Sequence, residues 1–208
     1  MLFYYTDLLG TAVFAITGIL VACRKNMDLF GAFVLAFVTA VGGGSIRDIL
    51  LGANPVFWIG DTNYILVVIA TTVVTLPLRH WHKQFYWPLQ LLDALGLAVF
   101  TVIGTSKALA FGASPIVAVM MGGLTGCGGG ALRDVLAGDV PMVLRKEIYA
   151  FAAIAGGALY IVLEPVMGQG ADLTALTIFV VLAIRVLSLY KGISLPPFML
   201  PNFHGRQK

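Results

Sequence analysis

Residues 39–48 read Thr-Ala-Val-Gly-Gly-Gly-Ser-Ile-Arg-Asp, and residues 125–134 repeat the pattern as Thr-Gly-Cys-Gly-Gly-Gly-Ala-Leu-Arg-Asp. Each stretch lies inside a long apolar run. A glycine is about 1 kcal/mol poorer than alanine in a helix, so three in a row favour a kink or an unwound turn. Irregular backbone within a membrane is tolerated only where it meets protein or a water-filled cavity. The two stretches therefore predict two membrane helices that are broken at Gly-Gly-Gly.

The composition places most of the chain in lipid. Of 208 residues, 59% are hydrophobic and 11% are charged, and the mean hydropathy is +0.94. A soluble domain would carry about a quarter charged residues. The net charge of +3 does not indicate a nucleic-acid partner, because the bases lie in short connections between apolar runs. No nucleophile motif, phosphate loop or metal-ligand spacing appears, so we predict a single membrane domain over residues 1–208 that is not an enzyme.

Seven apolar runs are long enough to span hydrocarbon, which predicts an all-α integral membrane protein with seven transmembrane helices. Seven crossings put the termini on opposite sides. The bases collect on the side of the C-terminus, which also holds a short tail at 191–208. The positive-inside rule then predicts a cytoplasmic C-terminus and an outside N-terminus in the plasma (inner) membrane of a prokaryote. The predicted spans are roughly 8–23, 29–52, 62–78, 88–107, 115–138, 148–163 and 173–190.

The chain matches itself when it is shifted by 86 residues. From residue 7 to residue 55, 18 of 49 positions are identical to the position 86 further on, and charged pairs keep the register. This match predicts two three-helix repeats, about 7–80 and 93–165, with the seventh helix at 173–190 outside them. Because three crossings are an odd number, the second repeat is inverted. Inverted repeats with glycine-interrupted helices point to an ion or substrate path near the midplane.

An Arg-Asp pair follows each glycine run, still inside the apolar stretch. Charges in hydrocarbon need partners, and adjacent residues on a helix do not face each other. The repeat therefore predicts one bridge in each half, Asp7–Arg47 and Asp93–Arg133. A purely structural role for these charges stays equally open. The candidate charge pairs comprise Asp7, Arg47, Asp48, Asp93, Arg133 and Asp134.

Unwound glycine segments expose backbone carbonyls that can replace water around a cation, and nearby hydroxyls can add oxygens. Close packing of small residues between helices is the structural alternative for the glycines. The alternative for Thr39 and Thr125 is a hydrogen bond back to their own helix. The candidate ion pathway comprises Thr39, Gly42, Gly43, Gly44, Ser45, Thr125, Gly128, Gly129 and Gly130.

Lys107 departs from the repeat, because its partner 86 residues earlier is Val21. A charge that is found in only one copy is a candidate for gating or voltage response. The alternative is an interfacial lysine that extends its ammonium toward water.

The doubled Gly-Gly-Gly-x-x-Arg-Asp helices, the Gly-Thr-Ser-Lys-Ala-Leu segment at 104–109 and the seven-crossing layout resemble the prokaryotic trimeric intracellular cation (TRIC) channels. That family also carries the labels glycine-transporter-type and UPF0126, and the resemblance covers roughly residues 5–190. It implies a homotrimer in membrane lipid, with a potassium-permeable pore inside each protomer shaped by the second and fifth helices. Animal members carry a Lys-Glu-Val motif on the fourth helix that is linked to lipid and voltage sensitivity. Only its lysine, Lys107, matches here.

The favoured function is a monovalent cation (potassium) channel with no resident cofactor, whose ligands are the permeant K⁺ and bound lipid. Arg47, Arg133 and Lys107 would repel cations unless carboxylates neutralise them. The alternative is a secondary transporter of a small zwitterion such as glycine, whose carboxylate would bind at a half-helix N-terminus after the glycines. A membrane scaffold without a pathway would leave the doubled charges unexplained.

Overall fold

The computed structural model describes residues 2–76, 86–145 and 148–193 as an all-helical protein, and these ranges contain no strand. The chain alternates long helices with two short ones. The helices are α1 Leu2–Arg24, α2 Leu29–Leu51, α3 Phe57–Gly60, α4 Asn63–Thr75, α5 Tyr86–Ala110, α6 Pro115–Leu136, α7 Met142–Arg145, α8 Ile148–Met167 and α9 Ala171–Lys191.

Six of these helices are long and apolar enough to cross a membrane, so the protein is a multi-pass membrane protein. The predicted third span is represented by α4, whose described part has 13 residues. The end of that span, the connection at 77–85 and the tail from 194 onward lie outside the described residues. The count of seven crossings and the sidedness that depends on it stay predictions.

The order of elements repeats along the chain, and so does the packing. In the first half α1 packs on α2, and α4 lies against both; in the second half α5 packs on α6, and α8 lies against both. The halves meet through α2 against α6 and α1 against α5. The last helix, α9, packs on α8 and α5. The four helices α1, α2, α5 and α6 therefore form the centre of the bundle.

The predicted break at the glycines is not confirmed, and the structure corrects it: α2 and α6 run as continuous α-helices through both motifs. A Cβ added to Gly43 would collide with the carbonyl oxygen of Thr125, and one added to Gly129 would collide with the carbonyl oxygen of Thr39. The two backbones are thus in direct contact. Close approach of helices at small residues offsets the poor helix propensity of glycine, as the alternative interpretation required.

Both motif helices end on a glycine in the left-handed conformation. Gly52 has φ +69° and follows α2, and its repeat partner Gly138 has φ +72° and follows α6 by two residues. Glycine adopts this conformation without the steric cost that a Cβ would add, and it is the usual residue that ends a helix. The amide of Ala53 bonds to the carbonyl of Asp48 at 2.8 Å, which fixes the end of α2 beside its own charged residues.

Candidate functional site: two buried charge clusters

Two clusters of buried charge lie at opposite ends of the bundle. Lys107 and Asp93 mark the two ends, because they are fourteen residues apart on α5, which is about 21 Å along a helix axis. We call Asp7, Arg47, Asp48 and Lys107 the Asp48 cluster. We call Asp93, Arg133, Asp134 and Arg185 the Asp134 cluster.

The carboxylate of Asp48 organises the first cluster. It is fully buried, and its oxygen Oδ1 lies 2.8 Å from Arg47 Nε and 2.7 Å from Arg47 Nη2. The ammonium of Lys107 contacts both oxygens, at 2.8 Å from Oδ1 and 3.0 Å from Oδ2. The backbone amide of Phe57, the first residue of α3, donates to Oδ2 at 3.0 Å. One carboxylate thus joins α2, α3 and α5.

The predicted Asp7–Arg47 bridge is wrong, and so is the expectation that adjacent residues cannot pair. Arg47 folds back along its long side chain onto Asp48, its immediate neighbour. Asp7 instead accepts a hydrogen bond of 2.8 Å from the Tyr64 hydroxyl on α4. The i,i+1 rule describes side chains on a helix surface, whereas a buried guanidinium pairs with a carboxylate that its long side chain can reach.

The second cluster repeats this arrangement around Asp134. Arg133 Nε and Nη2 each lie 2.9 Å from Asp134 Oδ1, and the backbone amide of Met142, which begins α7, donates to Oδ2 at 2.9 Å. Arg133 Nη1 also lies 2.8 Å from Asp93 Oδ1, which confirms the predicted Asp93–Arg133 bridge. A second bond of 3.0 Å from Nη1 to the Thr17 hydroxyl ties the cluster to α1.

Arg185 on α9 completes the second cluster, although it has no carboxylate within 4 Å among the described residues. It is 1% exposed, and its guanidinium carbon lies 4.6 Å from the centre of the Tyr149 ring. A Cβ added to Gly130 would lie 3.2 Å from the Tyr149 hydroxyl and 3.3 Å from Asp93 Oδ1, so that hydroxyl and that carboxylate face the same spot. Arg185 therefore meets the second cluster through a cation–π contact with the Tyr149 ring.

The charges of each cluster balance. The Asp48 cluster has two aspartates against one arginine and one lysine, and the Asp134 cluster has two aspartates against two arginines. Buried ions are tolerated when opposite charges compensate them. The positive side chains that would have repelled a cation are thus neutralised by neighbouring carboxylates.

Several of these contacts were missed by sequence reasoning. The Tyr64 and Tyr149 positions are 85 residues apart, and so are the Phe57 and Met142 amides, whereas the first two helices of each repeat keep a spacing of 86. A one-residue shift between the second and third helices hides these pairs from a fixed-register comparison. Arg185 did carry a usable signal, because an intramembrane charge is by default a candidate functional residue.

The candidate pathway residues lie between the two clusters, where α2 crosses α6. The hydroxyl of Thr39 donates to Leu35 O at 2.5 Å and that of Thr125 to Met121 O at 2.6 Å, so both bond back to their own helix. Ser45 donates to Val41 O at 2.8 Å and accepts from Trp58 Nε1 at 2.9 Å. The remaining glycines of the pathway set also pack tightly. The residue nearest to a Cβ added at each of these positions is Leu132 for Gly42, Phe57 for Gly44, Gly43 for Gly128 and Tyr149 for Gly130.

A cavity of about 180 Å³ opens beside the Asp134 cluster. It lies between the end of α1, the start of α5, the end of α6 and α7. The hydrogen bond from Lys25 to Asp139, 2.8 Å long, lowers the pKa of this carboxyl at the cavity rim. The lining residues are Val21, Arg24, Leu89, Gln90, Arg133, Asp134, Asp139, Val140, Met142 and Arg145.

Replacing Arg185 by methionine is expected to lower the free energy of unfolding by about 2 kcal/mol, because the Asp134 cluster would keep a buried negative charge. The change in thermal midpoint of the purified protein in detergent measures the effect. Lys191→Met is the matched control, since Lys191 is exposed at the end of the same helix. Equal stability of the two variants would show that Arg185 does not balance the cluster.

Comparison with known proteins places the chain among bacterial membrane proteins. A family model described as Glycine transporter matches it twice, at residues 4–80 and 90–165. The UPF0126 membrane protein of Vibrio cholerae is 49% identical over 201 residues, which cover 96% of this chain and 84% of that protein. The UPF0126 inner membrane protein YadS of Escherichia coli K12 is 46% identical over 208 residues, which cover 99% of this chain and 100% of the relative.

Solved structures with the same fold are TRIC cation channels. The TRIC trimeric intracellular cation channel orthologue from Rhodobacter sphaeroides has a TM-score of 0.88 and 38% identity, over 92% of this chain and 99% of that chain. A prokaryotic TRIC channel in 0.5 M KCl has a TM-score of 0.87 and 32% identity, over 94% of this chain and 99% of that one. These proteins are named as membrane proteins or channels rather than enzymes.

Proposed function

The chain belongs to the UPF0126 family of membrane proteins, and on that premise we propose that it is a monovalent cation channel that conducts potassium. The observation that carries the proposal is its likeness over nearly its whole length to TRIC cation channels, with TM-scores of 0.88 and 0.87. The Rhodobacter sphaeroides relative is an orthologue of trimeric channels, which supports a homotrimer, and we place one pore in each protomer. A relative named as an inner membrane protein supports the same location.

The proposed pathway runs along α2 and α6 between the two charge clusters. Both clusters are balanced, so neither presents an unpaired positive charge to a cation. The glycines bring the α2 and α6 backbones into contact at Gly43, Gly128 and Gly129. Conduction along this line therefore requires the two helices to separate at that level. Carbonyl oxygens and the hydroxyls of Thr39 and Thr125 would then replace water around the ion.

Purified protein in proteoliposomes is expected to carry K⁺ across the membrane with no organic solute present. The measurement is single-channel recording under a membrane potential, with protein-free vesicles as the control. Discrete conductance steps would support the channel, and a silent membrane in which the protein is correctly inserted would contradict it.

A secondary transporter is the second candidate, because the matching family model is described as Glycine transporter. That hypothesis placed the substrate carboxylate at a half-helix N-terminus after the glycines. The continuous course of α2 and α6 removes such an N-terminus from this conformation. Flux that saturates with glycine and shows no current steps would favour the transporter over the channel.

A further inference from the structure

The face of α5 that joins the two charge clusters carries a phenylalanine at its midpoint. Phe100 lies seven residues from Asp93 and seven from Lys107, which is about 10 Å along the helix axis in each direction. Residues seven apart stand two turns apart and are turned by only about 20° around a straight helix. The course from one cluster to the other along this face of α5 therefore passes Phe100.

The first helix repeats this arrangement. Phe14, the repeat partner of Phe100, lies seven residues from Asp7 and seven from Val21. Asp7 belongs to the Asp48 cluster, and Val21 lines the cavity beside the Asp134 cluster. One face of α1 thus also runs from cluster to cluster, with an aromatic ring halfway.

The two rings meet at the centre of the bundle. Their centroids lie 5.1 Å apart, and Phe14 is 1% exposed and Phe100 4%. Each ring packs where the opposite helix has a glycine. A Cβ added to Gly96 on α5 would collide with the Phe14 ring, and one added to Gly10 on α1 would lie 3.2 Å from the Phe100 ring. The rings therefore fill the space between α1 and α5 at this level.

The rings lie beside the contact between α2 and α6. A Cβ added to Gly129 would collide with the Thr39 carbonyl oxygen, and it would also lie 3.1 Å from the Phe14 ring. All four central helices are thus closed at one level. Separation of α2 and α6 would expose the Phe14 ring, and an ion that left water for such apolar surroundings would lose its hydration without replacement.

The polar regions on either side are more open than this middle level. The Lys107 side chain in the Asp48 cluster is 28% exposed. The cavity of about 180 Å³ opens beside the Asp134 cluster. The rings therefore separate two regions in which charged groups border accessible space.

We propose that Phe14 and Phe100 form the hydrophobic gate of the cation pathway. While the rings touch, they exclude water from the midpoint between the two clusters, and hydrophobic constrictions close pores in this way. An ion passes only when the rings turn away from each other. The inference rests on the proposed function and deepens it, because it names the side chains that close the pathway.

The first test is single-channel recording in K⁺ with Phe14→Ala and Phe100→Ala. Each change is expected to raise the ratio of open to closed time about tenfold, because the closed state loses part of the packing that the ring provides. The thermal midpoint in detergent shows that each variant is folded. Phe14→Val replaces Phe14→Ala if the latter does not fold, and a smaller increase in the same direction is expected.

Leu173→Ala is the matched control. Leu173 on α9 is also fully buried, but it belongs to a different apolar cluster, with Val102 and Tyr160. Its truncation should lower the thermal midpoint and leave the ratio of open to closed time at the wild-type value. If the two phenylalanine variants behaved like Leu173→Ala in the recordings, the rings would be ordinary core and the gate would be refuted.

The second test uses a thiol in place of one ring. Phe100→Cys is prepared in a protein whose native cysteines, Cys23 and Cys127, are changed to alanine. A small thiol-reactive ammonium reagent, added while the channel conducts, is expected to reduce the K⁺ current irreversibly. The same reagent should leave the current of Leu173→Cys unchanged. A Phe100→Cys current that the reagent does not alter would also refute the gate.

The wild-type recordings separate the gate from the channel. Wild-type conduction with unchanged phenylalanine variants refutes the gate and leaves the channel standing. Absence of current from the wild type and from every folded variant refutes the channel, and the gate with it. A silent wild type whose Phe14→Ala variant conducts supports both.

Discussion

Gly129→Ala is expected to lower the free energy of unfolding by about 3 kcal/mol, at the upper end of the cost of overpacking a well-packed interior. The added Cβ would collide with the Thr39 carbonyl oxygen and lie 3.1 Å from the Phe14 ring. A backbone oxygen cannot swing aside as a flexible side chain can, so α2 and α6 would have to move apart. The thermal midpoint in detergent measures the loss.

Gly123→Ala on the same helix is the control for this prediction. The nearest atom to its added Cβ is Ile154 Cγ1 at 3.9 Å, which is an ordinary contact. Alanine is a better helix former than glycine by about 1 kcal/mol, so this variant should equal or exceed the wild type in stability. If Gly129→Ala were as stable as Gly123→Ala, the helices would not be in the tight contact described here.

Asp93→Asn is expected to cost about 3 kcal/mol, because it removes one partner of a buried ion pair and leaves Arg133 undercompensated. Asp7→Asn, at the equivalent position of the first repeat, should cost less, about 2 kcal/mol, because it weakens a hydrogen bond and removes a balancing charge but breaks no ion pair in direct contact. The difference follows from the partners, since Asp93 contacts an arginine at 2.8 Å and Asp7 accepts from a tyrosine hydroxyl.

Double-mutant cycles sharpen the comparison. The coupling energy between Asp93 and Arg133 is expected to be about 2 kcal/mol, whereas that between Asp7 and Arg47 should be about 1 kcal/mol or less, because these two residues share a cluster but form no ion pair. Each cycle uses Asp→Asn and Arg→Met, and thermal unfolding in detergent supplies the energies. Equal coupling in the two repeats would contradict the asymmetry of the clusters.

Hydropathy and repetition were enough to predict the six long helices that could span a membrane and one of the two bridges. The predicted run at 29–52 became α2, and the predicted run at 115–138 became α6, with ends displaced by two residues or fewer. The Asp93–Arg133 bridge was predictable because both residues belong to the helices that keep the 86-residue register. In each case the controlling forces, burial of apolar surface and pairing of buried charge, are visible in a single sequence.

The predictions that the structure corrects failed because they depend on contacts between helices that are distant in sequence. Three glycines weaken an isolated helix, but the sequence does not show that another glycine helix packs against them and restores it. The prediction of an Asp7–Arg47 bridge failed because Asp7 accepts a hydrogen bond from Tyr64 instead. Tyr64 lies on the third helix of the repeat, where equivalent residues are 85 and not 86 positions apart. Lys107 was visible as an oddity, yet its partner Asp48 is 59 positions away along the chain. Tertiary contacts of this kind decide side-chain partners without leaving a local pattern.

The balance of charge in the clusters has a consequence for how the protein is made. To its buried cluster the first repeat contributes Asp7, Asp48 and Arg47, so this cluster has one acid more than bases when the repeat emerges from the ribosome. Its neutralising residue, Lys107, arrives only with α5, and Arg185, which compensates the second cluster, arrives only with α9. Neither buried cluster is charge-balanced when only its own half has been inserted. The last helix to be synthesised, α9, supplies the last compensating charge, Arg185. A nascent chain that stops before Ala171 would thus carry an uncompensated acid in the bilayer, a defect that membrane quality control is suited to detect.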